Sequence, residues 1–382
     1  MKKLDDVLEK ATRFQEKLAS NFLEREEAAE GILLALVARQ HVLLLGPPGT
    51  AKSAMVEFAA RQVEGARYFR WLLTKFTAPE ELFGPVSIQA LQQDSYRRII
   101  TGKLPGAEVV FLDEVFKASS AILNSLLSVI NERLFFNDGQ PVRVPLISVF
   151  GASNELPEVE EEAALQALSD RFLLRYVVGY ISSKKSKLSL LLREEEPEPE
   201  PVLTLQDLET LHAAAARQVA FPKTAAEALI AVVDAVRREG VEVSDRRMKQ
   251  CVTLLRAKAM LAGAGEVEAG RDFGVLRHAL WTCPEQRDAV AQAIIKIAAP
   301  VEAELEEIAR AAREALEAWA KEKDTQKKLA ALRPLPAAAK RAREIAVKLP
   351  PGSLRAKAER LAEELEQKKA QLTDDVLLGL EV

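Results

Sequence analysis

His41–Val63 reads HVLLLGPPGTAKSAMVEFAARQV, and this stretch decides the fold. HVLLLG (His41–Gly46) is a short, β-prone apolar run closed by glycine, as a strand buried on both faces would be. GPPGTAKS (Gly46–Ser53) follows, and AMVEFAARQV then reads as a helix. Strand, glycine-rich loop and helix in that order make a phosphate-binding unit with the general pattern G-x-x-x-x-G-K-[ST]. Its physical basis is the set of free backbone N–H groups at a helix N-terminus, which attract anions. Gly46, Pro47, Pro48, Gly49, Thr50, Ala51, Lys52 and Ser53 are therefore the candidate phosphate residues. Lys52 would reach the terminal phosphates and Ser53 would ligate Mg2+. Ala51 stands where the pattern has its second glycine, so an L-residue must hold the loop's backbone conformation there.

EVVFLDE (Glu108–Glu114) is the second strand candidate. It ends in Asp113 and Glu114, and the carboxyl end of a buried parallel strand is the ligand edge of such a sheet. Asp113 would hold Mg2+ largely through water, and Glu114 would polarise an attacking water. A helix follows, with Ile122, Leu126, Val129 and Ile130 at helical spacing. Asn137-Asp138-Gly139 between β-prone runs signals a hairpin. LISVFGASN (Leu146–Asn154) is a third buried strand ending in polar residues. Strands alternating with helices predict an α/β fold with a mainly parallel sheet.

Residues 1–40 read as helical, with an apolar stripe at Ile32, Leu33, Leu34, Leu36 and Val37. REEEPEPEP (Arg193–Pro201) continues neither helix nor strand and reads as a linker. Residues 203–298 read as all helical. After Pro300 the chain is rich in Ala, Glu, Lys, Arg and Leu, and breaks near Pro334–Pro336 and Pro350–Gly352 divide it into three helices. Leu354, Ala358, Leu361 and Leu365 form an a/d-like stripe in the last. The expected organisation is a nucleotide-binding α/β core at 1–190, a Glu/Pro linker at 191–202, an all-α lid at 203–298 and a C-terminal helical domain at 299–382.

Composition removes several classes. Lys and Arg total 53 and Asp and Glu total 57 in 382 residues, a formal net charge of -4. Nucleic-acid binding is therefore not expected, because it shows as a basic excess. Two cysteines, Cys251 and Cys283, build no disulfide scaffold. His41, His212 and His278 are too scattered for a metal centre. The N-terminus has no apolar segment of a secretion signal, and no run approaches the ~18 apolar residues of a membrane span. A cytoplasmic, reducing location is the expectation.

GPPGTAKS, FLDE, a strand ending in SN, and LSDRF occur in an order that resembles an AAA+ ATPase. The alanine before lysine is similar to the MoxR group. FTAPEELFGPVSIQAL (Phe76–Leu91), LPGAEVVFLDEVFKASSAILNSLLSVINER (Leu104–Arg133) and SNELPE (Ser153–Glu158) resemble its RavA subfamily. The resemblance covers about residues 20–260. It implies an AAA+ core (a parallel sheet sandwiched by helices) followed by a lid and a triple-helical region, with ATP and Mg2+ as cofactors. It implies a hexameric ring that remodels or matures client protein complexes, commonly with a von Willebrand factor A domain partner. This chain lacks the DxSxS pattern of such a domain, so that partner would be a separate polypeptide.

The resemblance also assigns residues. Asn154 matches sensor 1, which positions the lytic water. Arg171 matches the arginine finger that serves a neighbouring subunit, with Arg175 as the competing candidate. Arg246 matches sensor 2, with Arg247 adjacent to it. Taken alone, Arg171 beside Asp170 and Arg246 beside Asp245 would be local ion pairs of little energetic weight. The Asn137–Gly139 hairpin resembles the pre-sensor-1 insertion. Pro85–Ala107 resembles the helix-2 insertion, with Tyr96, Arg97 and Arg98 as residues that would touch a client. The tail leaves no room for the β-rich module by which well-known RavA proteins dock a lysine decarboxylase. Three other readings stay open: a metal-chelatase motor subunit, a nucleic-acid motor related to the MCM group, and a nucleotide-dependent scaffold without turnover. The net charge weighs against the second. Glu114, Asn154 and Arg171 together argue against the third.

Overall fold

The computed structural model describes residues 2–156, 163–193, 200–322, 324–349 and 353–378. Most of the Glu/Pro linker and the end of SNELPE lie outside them. The chain divides into two compact units, residues 1–290 and 291–382.

The first unit opens with helices α1 (Lys2–Asn21) and α2 (Glu26–Ala38). Its strands are β1 (Val42–Leu45), β2 (Val63–Glu64), β3 (Tyr68–Leu72), β4 (Val109–Asp113), β5 (Leu134–Asn137), β6 (Gln140–Arg143), β7 (Ser148–Ser153), β8 (Leu174–Val177) and β9 (Leu203–Thr204). Helices α3 (Lys52–Arg61), α4 (Pro79–Phe83), α5 (Ile88–Leu91), α6 (Ser120–Glu132), α7 (Ala163–Arg171) and α8 (Lys184–Leu192) lie between these strands.

Five strands form one parallel sheet in the order β3-β4-β7-β1-β8. All residues of β1 and β7 are buried, which is why both read as continuous apolar runs. Helix α2 packs on β1 and β8, and α3 on β3, β4 and β7. The edge strands β3 and β8 are additions to the three strands read from sequence. They are short and carry Arg70, Arg175 and Tyr176, so no apolar run marks them.

The register aligns Leu45 with Ser153, so the ends of β1, β4 and β7 share one edge. β5 and β6 form the expected antiparallel hairpin. Asp138 (φ 56) and Gly139 (φ 69) turn it, the two positive angles that a type I′ turn requires.

The lid follows as α9 (Leu205–Gln218), α10 (Lys223–Arg238), α11 (Asp245–Leu261) and α12 (Ala269–Asp272). A capping box starts α9: Thr204 Oγ1 accepts from the Asp207 N–H, and Asp207 accepts from the Thr204 N–H, both at 3.0 Å. Helices α9 and α11 pack on α2, so the lid belongs to the same compact unit as the sheet.

Helix α13 (Arg287–Ala298) leads to the second unit, built from α14 (Pro300–Lys321), α15 (Thr325–Ala331), α16 (Pro334–Lys348) and α17 (Ser353–Leu378). Three of these match the expected helices, and α15 is an addition capped by Asp324, whose Oδ1 accepts from the Lys327 N–H at 3.0 Å. Pro334 opens α16 instead of breaking a helix, because the first helical position needs no N–H. Small residues such as Ala339, Ala342, Ala346, Ala358 and Ala362 line the contact of α16 with α17. Among the described residues, no helix is long and apolar enough to cross a membrane.

Candidate functional site

The carboxyl edge of the sheet gathers the phosphate residues. Gly46 leaves β1 at φ +144, and a Cβ there would lie 2.1 Å from the Val178 carbonyl oxygen, so only glycine fits. Its N–H donates to the Ser153 carbonyl at 3.0 Å, which ties the loop to the end of β7. Ala51 takes up the left-handed conformation at φ 64, ψ 21, an arrangement costing an L-residue about 1–2 kcal/mol. The Thr50 hydroxyl closes the loop on the Pro47 carbonyl at 3.0 Å.

Helix α3 begins at Lys52, so the N–H groups of Lys52, Ser53 and Ala54 have no acceptor within the helix. Lys52 Nζ donates to the carbonyls of Gly46 (2.5 Å) and Pro47 (2.9 Å). Burial pushes its ammonium below the usual value, and the nearby Asp113 and Glu114 carboxylates partly oppose this. Cationic donors, orphan amides and a strand-end carboxylate within one corner suit a phosphate chain with its divalent ion. Ser53 and Asp113 carry oxygen atoms that would hold Mg2+ there.

Asp113 ends β4 half-buried, and its Oδ1 accepts from the Glu114 N–H at 3.1 Å. Glu114 is itself left-handed at φ 51, ψ 47. Strain of this kind in a non-glycine residue concentrates at functional positions. It aims the carboxylate at two partners: Asn154 Nδ2 donates to Oε1 at 3.2 Å, and Lys117 Nζ lies 3.2 Å from Oε2. Lys52, Asp113, Glu114 and Asn154 are thus brought together. Lys117 is a member of the cluster that sequence reasoning missed, and nothing in its spacing distinguishes it from a solvated lysine.

The opposite edge carries the arginines. β8 pairs with β1 so that Leu174 faces Val42, which puts the end of α7 beside His41, at the start of β1. The Val149 N–H donates to His41 Nδ1 at 2.9 Å, and Nε2 lies between the Ile130 carbonyl at 3.2 Å and Arg133 Nη1 at 2.9 Å. Arg246, exposed in the first turn of α11, donates from Nη2 to Asn131 Oδ1 at 2.8 Å. Arg171 Nη1 lies 3.5 Å from Asp170, and its buried Nε has no hydrogen-bond partner among the described residues. Burial and the Arg246 charge push the Arg171 guanidinium below its usual value.

The four residues of β1 separate this edge from the phosphate loop, a span of about 13 Å at the ordinary strand rise. Arg171 and Arg246 are near one another and are not brought to the chain's own loop.

Their competitors have other work. Arg175 is 2% exposed, donates to the Trp281 carbonyl and to Ser169 O at 3.0 Å, and lies over the Trp281 ring. Arg247, also 2% exposed, donates to the carbonyls of Ala279, Leu173 and Phe172 and pairs with Asp170 at 3.5 Å. Both bond the lid to the core and offer nothing to a second chain.

The two insertions are clamped to each other. Asp138 accepts from the Ser95 hydroxyl (2.6 Å) and the Tyr96 N–H (2.7 Å), while Asn137 accepts from the Arg98 N–H (2.7 Å) and donates to its carbonyl (3.1 Å). A cavity of about 320 Å³ opens near the phosphate loop, lined by Glu24, Arg25, Tyr176, Val178 and His278 among others.

Comparison with known proteins bears on the family and the fold. The family model of the MoxR domain in MoxR-vWA-beta-propeller ternary systems matches residues 9–211. The model of an AAA lid domain matches residues 226–294. The chain is similar to an uncharacterised protein of Methanocaldococcus jannaschii, 41% identical over 287 residues and 75% of each chain. It is similar to the chaperone MoxR1 of Mycobacterium tuberculosis, 26% identical over 68% of each chain. The crystal structure of a candidate ATPase from Cytophaga hutchinsonii shares the fold with a TM-score of 0.59 at 16% identity, over 77% of this chain and 88% of that one.

Proposed function

Because the chain belongs to the MoxR family of AAA+ ATPases, we propose that it hydrolyses ATP in a hexameric ring to remodel or mature client protein complexes. The carrying observation is the Asn154–Glu114 hydrogen bond at 3.2 Å, made beside Lys52 and Asp113. A carboxylate held by an amide at the end of the neighbouring strand is the arrangement needed to orient and polarise a water.

In this reading the Gly46–Ser53 amides cradle the phosphates, and Lys52 exchanges its carbonyl partners for phosphate oxygens. Glu114 takes the proton of the attacking water, and Asn154 fixes that water's position. Mg2+, when bound through Ser53 and Asp113, neutralises charge on the phosphates. Arg171 and Arg246 serve the next subunit, which is supported by their distance from their own loop. The cavity beside Val178 is the candidate seat of the base.

A separate von Willebrand factor A protein is the proposed partner, on the strength of the systems for which the matching family model is named. The RavA-like character of Phe76–Leu91 and Leu104–Arg133, a cytoplasmic location and the core, lid and tail boundaries are parts of the same proposal.

Glu114→Gln tests it. ATP turnover should fall by ~10²–10⁴, the ordinary worth of a general base, while ATP binding persists. A pull-down with the ATP-trapped variant should retain the client. Turnover at the parent rate in this variant would remove Glu114 from the role.

A further inference from the structure

Helix α8 buries none of its nine residues, yet both of its ends are tied down. Glu24 accepts from the N–H groups of Ser182 (2.7 Å) and Ser183 (2.9 Å) and from the Ser182 hydroxyl (2.9 Å). These bonds hold the Glu24 carboxyl down at about 2. Beyond the other end, Arg193 donates to the carbonyls of Asn21 (2.7 Å) and Ser20 (3.2 Å). The helix is fixed to the corner between α1 and α2 and displayed outward.

Its exposed face is unusual for a solvated helix. Leu188 (57% exposed), Leu191 (81%) and Leu192 (72%) are spaced to share one face. Lys184 and Lys187 lie one turn earlier on that side, and Lys185 flanks it. Lysines in a first helical turn oppose the helix dipole, so local helix stability does not account for them. Contiguous exposed leucines mark an interaction surface.

We propose that α8 is seated on a second copy of this chain and is an anchor of the subunit interface. The inference rests on the ring reading above. Helix α8 follows Tyr180, whose hydroxyl donates to the Pro48 carbonyl at 3.4 Å, so the segment leading into α8 touches the phosphate loop. The ring reading brings another copy's Arg171 and Arg246 to that loop. Around those arginines the surface carries Glu132, Glu242 and Asp245, all exposed, with Asp245 only 3.7 Å from Arg237. Glu132, Glu242 and Asp245 offer the three lysines carboxylates to pair with beside the arginines of that surface, and the leucines supply the apolar contact. The Tyr180–Pro48 bond joins this contact to the phosphate loop.

The test is sedimentation velocity of the full chain carrying Glu114→Gln, with ATP and Mg2+. The parent should assemble. Leu188→Ser/Leu191→Ser/Leu192→Ser should raise the concentration needed for assembly at least tenfold, with unchanged helix content and unchanged binding of a fluorescent ATP analogue. Lys184→Glu/Lys185→Glu/Lys187→Glu should weaken assembly, and adding Glu132→Lys/Glu242→Lys/Asp245→Lys should restore it. A parent that stays monomeric would overturn the ring reading and this inference together. A parent that assembles while the leucine and lysine variants assemble equally well would overturn the inference alone. Variants that assemble normally but no longer sediment with phosphatidylserine vesicles would replace the second copy by a membrane surface.

Discussion

At the carboxyl edge of the sheet, Lys52, Asp113, Glu114 and Asn154 face one another within a single chain. At the opposite edge, Arg246 is exposed and Arg171 half-buried, while Arg175 and Arg247 are sealed between core and lid. The first edge draws its cluster from one chain. The second splits one residue type into two populations with different energetics. An arginine bonded to several buried carbonyls is held for stability, because losing it orphans each acceptor. An arginine held by one side-chain acceptor, Asp170 for Arg171 and Asn131 for Arg246, is free to be recruited elsewhere. Loss of activity and loss of stability should therefore separate cleanly between them.

The largest effect falls on the less buried pair. Arg171→Ala should lower ATP turnover by about 10³ or more, the range for an arginine that stabilises transferring phosphoryl charge, with an unchanged melting temperature. Mixing Arg171→Ala with Lys52→Ala chains should restore part of the activity, because mixed assemblies pair an intact loop with an intact arginine. Mixtures as inactive as their components would show that Arg171 acts within its own subunit.

The buried pair should behave in reverse. Arg175→Ala leaves the carbonyls of Trp281 and Ser169 unpaired, and Arg247→Ala leaves those of Ala279, Leu173 and Phe172. At ~1–3 kcal/mol per orphaned buried group, each variant should lose about 3 kcal/mol in urea unfolding. A stable Arg247→Ala protein without turnover would move Arg247 into the class of Arg171.

Acid should act more gently, through His41 at the arginine edge and His278 in the cavity near the phosphate loop. Burial holds His41 well below its usual value, with the Arg133 and Arg246 charges adding to this, and burial pushes His278 down to about 3. Unfolded histidines bind protons below about 6.5, while these two stay neutral in the native state. The unfolded form therefore gains protons first, and stability falls as pH drops from about 6.5 towards 5. A charged His41 would also lose its Nδ1 acceptor for the Val149 N–H. Calorimetry at pH 7.5, 6 and 5 should show a declining melting temperature, and His278→Asn should flatten part of that decline.

The two edges also differ in how far the sequence discloses them. Gly46–Ser53, Asp113, Glu114 and Asn154 occupy ends of strands whose apolar runs are unmistakable, so chain order alone orders the cluster. The arginine edge depends on phase. Arg246 and Arg247 are neighbours in α11, and one helical step of about 100° separates solvent from the interior. Arg175 is turned inward by β8, a strand too short and polar to be seen in advance. Exposure of the leucines of α8 was equally illegible, because KLSLLL reads as a helix whether or not anything covers it. Asp138 was visible as a turn residue, and its second task as a clamp on Tyr96 arises only from the meeting of two insertions.

The smallest effect probes the phosphate edge. Ala51 holds the left-handed conformation in the loop, at a cost of about 1–2 kcal/mol relative to glycine. Glycine there would relieve that strain, yet it would also widen the unfolded ensemble by about 0.4–1 kcal/mol. The difference predicts that Ala51→Gly stabilises the protein by about 0–1.6 kcal/mol in urea unfolding. The loop's other restraints, Thr50 to Pro47 and Gly46 to Ser153, remain in place, so the KM for ATP should change less than twofold. A destabilised variant would mean that the Ala51 methyl makes a contact worth more than the strain it carries, and the loop would then owe its shape to packing as well as to backbone.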